Sequence, residues 1–172
     1  VEKAQGHAAQ VVAAAEAAIA AGELTMEQLF DCDYREVPGT NPQLYRTGLS
    51  DWADAHWRPI NDAVSSEGRP VIMCSQSDTN GFLPTHVSEH SRPPTGDLAH
   101  DTQHCRNGRI MLYAIDKTAK TQTEPYMMAV YRQEGDGKNY LVVRNVYVPL
   151  VINGRRWGDF ELAYSLDRSA SG

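Results

Sequence analysis

The chain opens with an alanine-dominated run, residues 2 to 22, in which Val11, Ala15, Ala18 and Gly22 recur at helical spacing with Val12 and Ile19 beside them. This predicts a helix with one narrow stripe of small apolar side chains. Such a stripe suits either packing onto the chain's own domain or close approach to a second helix. Gly22 is a natural stop, and Thr25 with Gln28 has capping-box spacing for a short helix through Phe30. Val37 to Pro42 is turn chemistry. A third helix fits residues 50 to 66, capped by Ser50 or Asp51, with Trp52, Ala55, His56 and Ile60 on one face and Pro59 kinking or restarting it. Gly68-Arg69-Pro70 ends it.

The period then changes from helical to alternating. Val71 to Ser77 reads as a strand, Asp78 to Gly81 as a tight turn, and Phe82 to His86 as the returning strand. Residues 88 to 123 are polar and irregular, with a short helix near 97 to 106. Tyr126 to Arg132, Tyr140 to Ile152 and Arg156 to Leu166 read as three more strands, joined by Gly135-Asp136-Gly137 and by Asn153-Gly154. The expected fold class is α+β: a five-stranded antiparallel sheet with N-terminal helices and a long middle segment. The expected organisation is a linking helix over 1–22, one domain over 23–168 and a flexible tail over 169–172.

At 172 residues the chain holds one domain, and its 41% hydrophobic and 22% charged residues are ordinary for a soluble globular protein. A net charge of −6 with no basic patch excludes a phosphate-rich partner such as nucleic acid. No apolar run is long enough to span a bilayer, so no direct membrane insertion is expected. The opening helix is interrupted by charge and reads as neither signal peptide nor anchor, and a first residue of Val1 suggests a fragment or processed product. Three cysteines, Cys32, Cys74 and Cys105, form no paired framework, which favours a reducing compartment.

Four stretches carry a more specific likeness: LFDCDYREVPGTNPQLYRT (Leu29 to Thr47), SDTNGFLPTH (Ser77 to His86), CRNGRI (Cys105 to Ile110) and VPLVINGRRWGDFELAY (Val148 to Tyr164). Taken in order, they resemble the PAS/Cache-like sensor module of bacterial methyl-accepting chemotaxis proteins. The resemblance implies a non-enzymatic, cytoplasmic sensory domain joined to the signalling domain of the same receptor chain and dimeric through its first helix. Two departures fall near the expected pocket. Val87 stands where the family usually has Asn, and Ile110 to Lys120 replaces a commonly acidic, glycine-bearing segment.

The candidate chemistry is that of binding. Nucleophile-elbow, P-loop, dinucleotide and zincin motifs are missing, and adjacent His104 and Cys105 are poorly placed for a nucleophile and its base. A small-molecule pocket is expected between the sheet and the middle segment, with His86, Arg106, Arg109, Tyr126, Met128, Arg144 and Trp157 as candidate lining. The arginines offer planar forks for a carboxylate, although each also suits a structural ion pair. Trp157 suits the core equally well. His100 and His104, four apart in a short helix, are candidate metal ligands; His86 and His90 have the same spacing, but His86 closes a predicted strand and the two should not share a helical face. A non-covalent haem on His86 or His104 is an alternative, whereas the missing Cys-x-x-Cys-His excludes covalent haem.

Overall fold

The computed structural model describes residues 1–68, 70–134 and 140–165. It is α+β, and its main sheet has four antiparallel strands in the order β3-β6-β5-β4. These are β3 (Val71–Asp78), β4 (Met127–Glu134), β5 (Tyr140–Ile152) and β6 (Arg155–Tyr164). A two-residue pair, β1 (Arg35–Glu36) and β2 (Tyr45–Arg46), stands apart. The helices are α1 (Glu2–Ala21), α2 (Met26–Leu29), α3 (Ser50–Ser66), α4 (Leu98–His104) and α5 (Ala114–Thr121). Among the described residues, no helix is long and apolar enough to cross a membrane.

Helix α1 lies on the sheet. Its expected stripe is buried, with Val11 and Ala15 fully covered, and Ala4 and Ala8 extend it toward the N-terminus. Gly22 ends the helix in the left-handed conformation at φ 76°. The small side chains therefore bring α1 close to its own β5 and α3, inside one core shared with the rest of the chain. Residues 1–22 are thus part of the domain's packing rather than a separate arm. The capping box also forms: Gln28 N donates to Thr25 Oγ1 at 3.1 Å, and Thr25 N to Gln28 Oε1 at 2.9 Å.

Helix α3 is continuous through Pro59, and its buried face differs from the expected one. Ser50, Ala53, Trp57, Asn61 and Val64 face inward, while Ala55 and His56 are exposed. The reason is polar pairing. Asn61 Nδ2 donates to Gln76 Oε1 at 3.0 Å, and Trp57 Nε1 donates to Val11 O at 3.1 Å, so an amide occupies a position that a hydrophobic pattern leaves to solvent.

The expected return strand Phe82 to His86 does not form. Asp78 Oδ1 captures the Phe82 N–H at 2.9 Å and the Asn80 N–H at 2.8 Å, which diverts the chain at the turn. Pro84 then has no N–H to offer a ladder. Residues 81 to 83 pair instead with the middle segment: Leu83 N donates to Arg109 O, Gly108 N to Leu83 O, and Met111 N to Gly81 O. Gly81, at φ 82°, is required here, because a Cβ would lie 2.4 Å from Met111 O. The β5–β6 hairpin turns at Asn153 and Gly154 as expected, both at positive φ. The Gly135-Asp136-Gly137 turn and the 169–172 tail lie outside the described residues.

Candidate functional site

Strand alternation gives the sheet two chemically different faces. The face under α1 and α3 carries Cys74, Val146, Val148, Leu150, Phe160 and Leu162, all buried. The opposite face presents Met73, Ser75 and Ser77 from β3, Asn145 and Tyr147 from β5, and Glu161 from β6. These line a cavity of about 470 Å³. Leu83 and His86, from the chain that follows β3, and Arg106, from the middle segment, cover it, and Met111, Tyr113, Ile115 and Asp116 close it at the start of α5. The pocket thus lies between the sheet and the middle segment, where the sequence placed it.

Register puts the polar groups in rows. Ser75, Glu161 and Tyr147 lie side by side across three strands, and Met73, Ala163 and Asn145 form the next row. Asn145 Nδ2 donates to a Glu161 carboxylate oxygen and approaches Tyr147 Oη at 3.3 Å. Tyr147 Oη donates to Asp116 Oδ1 at 3.0 Å, and Asp116 Oδ2 accepts the Tyr113 N–H at 2.8 Å at the start of α5. Burial, with Asp116 adding repulsion, pushes the Glu161 carboxyl up to about 7, partly offset by the Lys120 charge. Burial likewise raises the Tyr147 phenol, so it stays protonated and donates.

Below this cluster α5 is clamped to the sheet. Asp159 is fully buried, with Lys120 Nζ at 2.9 Å and Arg156 Nη2 on its other oxygen. Lys120 Nζ also donates to Ser77 Oγ at 2.6 Å, and Arg156 Nη2 to Ala119 O at 3.1 Å. These charges are therefore committed to holding α5 on the sheet.

Over the cavity, His86 is buried, and its Nδ1 accepts the Val87 N–H at 2.9 Å. Burial first, then His90, Arg106 and Arg58, push this imidazole down to about 3, so the ring is neutral with its proton on Nε2. Arg106 sits beside it, its Nη1 3.5 Å from Met73 Sδ.

Of the sequence candidates, His86 and Arg106 are brought to the cavity and the other five are not. Trp157 is core: its indole N–H donates to Leu29 O at 2.8 Å and its ring meets Trp57 edge-on at 5.0 Å. Arg144 shares the strand face of Val146, opposite the cavity. Met128 pairs with Val146 on that same face, beyond the cover of α1, and is exposed, as is Tyr126. Arg109 turns outward to Thr102 O at 3.3 Å. Sequence reasoning missed Glu161, Asn145, Tyr147 and Asp116. The first three leave a legible trace as polar groups at alternate positions of otherwise apolar strands.

The histidines form a row: ring centroids are 5.3 Å apart for His86–His90, 6.2 Å for His90–His104 and 4.9 Å for His100–His104. His100 and His104 share a face of α4 as their spacing implied. Buried Asp101 and Cys105 adjoin them, with Asp101 Oδ1 at 3.1 Å from His100 Nδ1 and 3.7 Å from Cys105 Sγ. Asp101 already accepts from Thr95 N and Thr95 Oγ1 on Oδ1 and from Gly96 N on Oδ2, which locks the loop before α4. Those hydrogen bonds hold its carboxyl well below the usual range. Burial first, then the nearby Asp101 carboxylate, push the Cys105 thiol up, the state of an unreactive cysteine.

Neither a scan against protein-family models nor a search of curated proteins finds a match.

Proposed function

We propose that this chain is a non-enzymatic sensory domain of the PAS/Cache-like kind, part of a methyl-accepting chemotaxis receptor, and that it binds a small molecule in the cavity between the sheet and the middle segment. The observation that carries this reading is the cavity itself, about 470 Å³ with polar groups converging from both walls. That size and mixture of apolar and polar lining suit a metabolite-sized ligand. The four sequence stretches that resemble the chemoreceptor module support the choice of family. Two of them, Ser77 to His86 and Cys105 to Ile110, contribute His86 and Arg106 to the cavity wall.

The route for a signal runs through β5. Asn145 and Tyr147 face the cavity, whereas Val146 and Val148 alternate with them under α1. A ligand that shifts β5 favours one seating of α1 over another, and α1 leads to the attached signalling domain in a cytoplasmic receptor. A homodimer then uses the outer face of α1, since the small-residue stripe is covered by the chain's own sheet. The test is a thermal-shift screen of small acids, amines and neutral metabolites, followed by hydrogen exchange on α1 with any hit. Binding with changed protection in residues 2–21 is the expected result. A screen in which no compound raises Tm overturns the reading.

The histidine row supports a second reading, a transition-metal sensor centred on His100 and His104 or a haem sensor on His86 or His104. For haem the fit is poor, because Glu161, Asp116 and Arg106 place charge where a porphyrin face needs apolar contact. For a metal ion, chelator-free purification with metal analysis decides. One ion per chain, lost in His104→Ala, is the outcome that would establish it.

A further inference from the structure

We propose that His100, Asp101 and Cys105 together bind one divalent cation of the zinc class, outside the cavity and independently of what the cavity holds.

Each of the three residues brings one ligand atom, and these atoms all lie within 4.8 Å of one another. Asp101 Oδ1 is the middle of the set, 3.1 Å from His100 Nδ1 and 3.7 Å from Cys105 Sγ. A tetrahedral zinc ion spaces nitrogen, oxygen and sulfur ligands about 3.4–3.6 Å apart, so small side-chain shifts close the set on an ion. Helical spacing explains the cluster. Cys105 follows Asp101 by four residues at the end of α4, where Cys105 N donates to Asp101 O at 3.0 Å. His100 directs its Nδ1 at Asp101, so the set differs from a His100–His104 pair.

The surroundings hold these ligands in place. Thr95 N and Gly96 N each donate to an Asp101 oxygen at 2.9 Å, the outer-shell support that a metal-bound carboxylate has. Cys105 bridges Ser91, and on either side of it Arg92 N donates to His104 O and Arg106 N to His90 O. Asp101 and Cys105 are buried, whereas the His100 side chain is 32% exposed, which leaves a way in and a fourth position for water. One sulfur, one imidazole and one carboxylate suit zinc and its neighbours, while magnesium and calcium take shells of oxygen. On binding, the Cys105 proton, now directed at Asp101, leaves to solvent and the freed sulfur pair goes to the ion. His100 takes the tautomer with its proton on Nε2, which turns the Nδ1 lone pair to the ion. Thiolate and carboxylate then balance its two positive charges.

The experiment titrates the whole, tag-free chain, stripped of metal and kept reduced, with Zn²⁺ and then with Co²⁺. The expected result is one ion per chain and, with cobalt, a near-ultraviolet thiolate-to-metal charge-transfer band. Cys32→Ser removes the exposed thiol and leaves that band in place. Cys105→Ser abolishes it. Both Cys105→Ser and His100→Ala weaken zinc binding by at least about a hundredfold, more than the loss of an outer-shell partner costs. His100 is partly exposed, so its variant tests the site even where the buried Cys105 change disturbs folding. Failure to bind either ion, cobalt binding without the thiolate band, or full zinc affinity in His100→Ala overturns the proposal. Binding lost in His104→Ala but kept in Cys105→Ser overturns it in favour of the histidine pair.

Discussion

At Glu161, burial and the nearby Asp116 carboxylate make the ionised form costly, and the protein meets that cost only at alkaline pH. The sign follows from linkage. The folded carboxyl, near 7, binds its proton more tightly than the unfolded one, so stability is fully present at low pH and is lost as pH rises through the window from 4.5 to 7. Glu161→Gln, which removes the charge, is expected to raise stability at pH 8 by on the order of 1–3 kcal/mol and to leave it unchanged at pH 4. Urea unfolding at the two pH values checks this. Trp157 makes the opposite case, a candidate ligand contact that is wholly structural. Trp157→Ala removes the edge-on contact with Trp57 and the hydrogen bond to Leu29 O, and is expected to cost about 3–5 kcal/mol. Ligand affinity in the residual folded protein should not change, since the indole lies away from the cavity.

Among the elements, α1 and α5 hold the sheet from opposite sides by different means. Helix α1 does so by close approach of small side chains, with Ala15 fully buried against the sheet. Ala15→Leu inserts three carbons where none fit and should destabilise by about 1–3 kcal/mol, read as a lower denaturation midpoint at constant m. A helix serving only as a coiled-coil arm would tolerate or gain from that substitution. Helix α5 is short and is held by charge, through Lys120 and Arg156 on Asp159. Asp159→Ala leaves Lys120 buried without its counter-charge and should cost about 3–5 kcal/mol. Faster hydrogen exchange across residues 114–121, on the cavity wall, is the local signature to look for.

Across the whole molecule, one sheet separates two kinds of interior. Apolar packing on the helix side carries the fold, while the far side lines a cavity with polar groups. That division makes a mechanical prediction: saturating the cavity with a bound compound should raise Tm and slow exchange in β5 and α1 together, because alternate residues of one strand serve both faces. If protection is gained on the cavity side alone, the sheet is not the conduit.

Local periodicity determined helices α1 to α4 and the four strands of the main sheet, but not α5 or the β1–β2 pair, since alternation and helical spacing are properties of neighbouring residues. The α1 stripe, the Thr25–Gln28 box and the Asn153-Gly154 turn were legible for that reason, as was a pocket between sheet and middle segment. His86 and Arg106 were legible as pocket groups through the stretches they sit in. Tertiary structure alone decided the rest. It turned Phe82 to His86 away from the sheet through the Asp78 carboxylate and set Trp57 and Asn61 inward. It also brought Glu161, Tyr147 and Asp116 together from three separate elements. Contacts of that kind depend on strand register and on pairing between distant polar groups. A sequence records each partner but not the partnership.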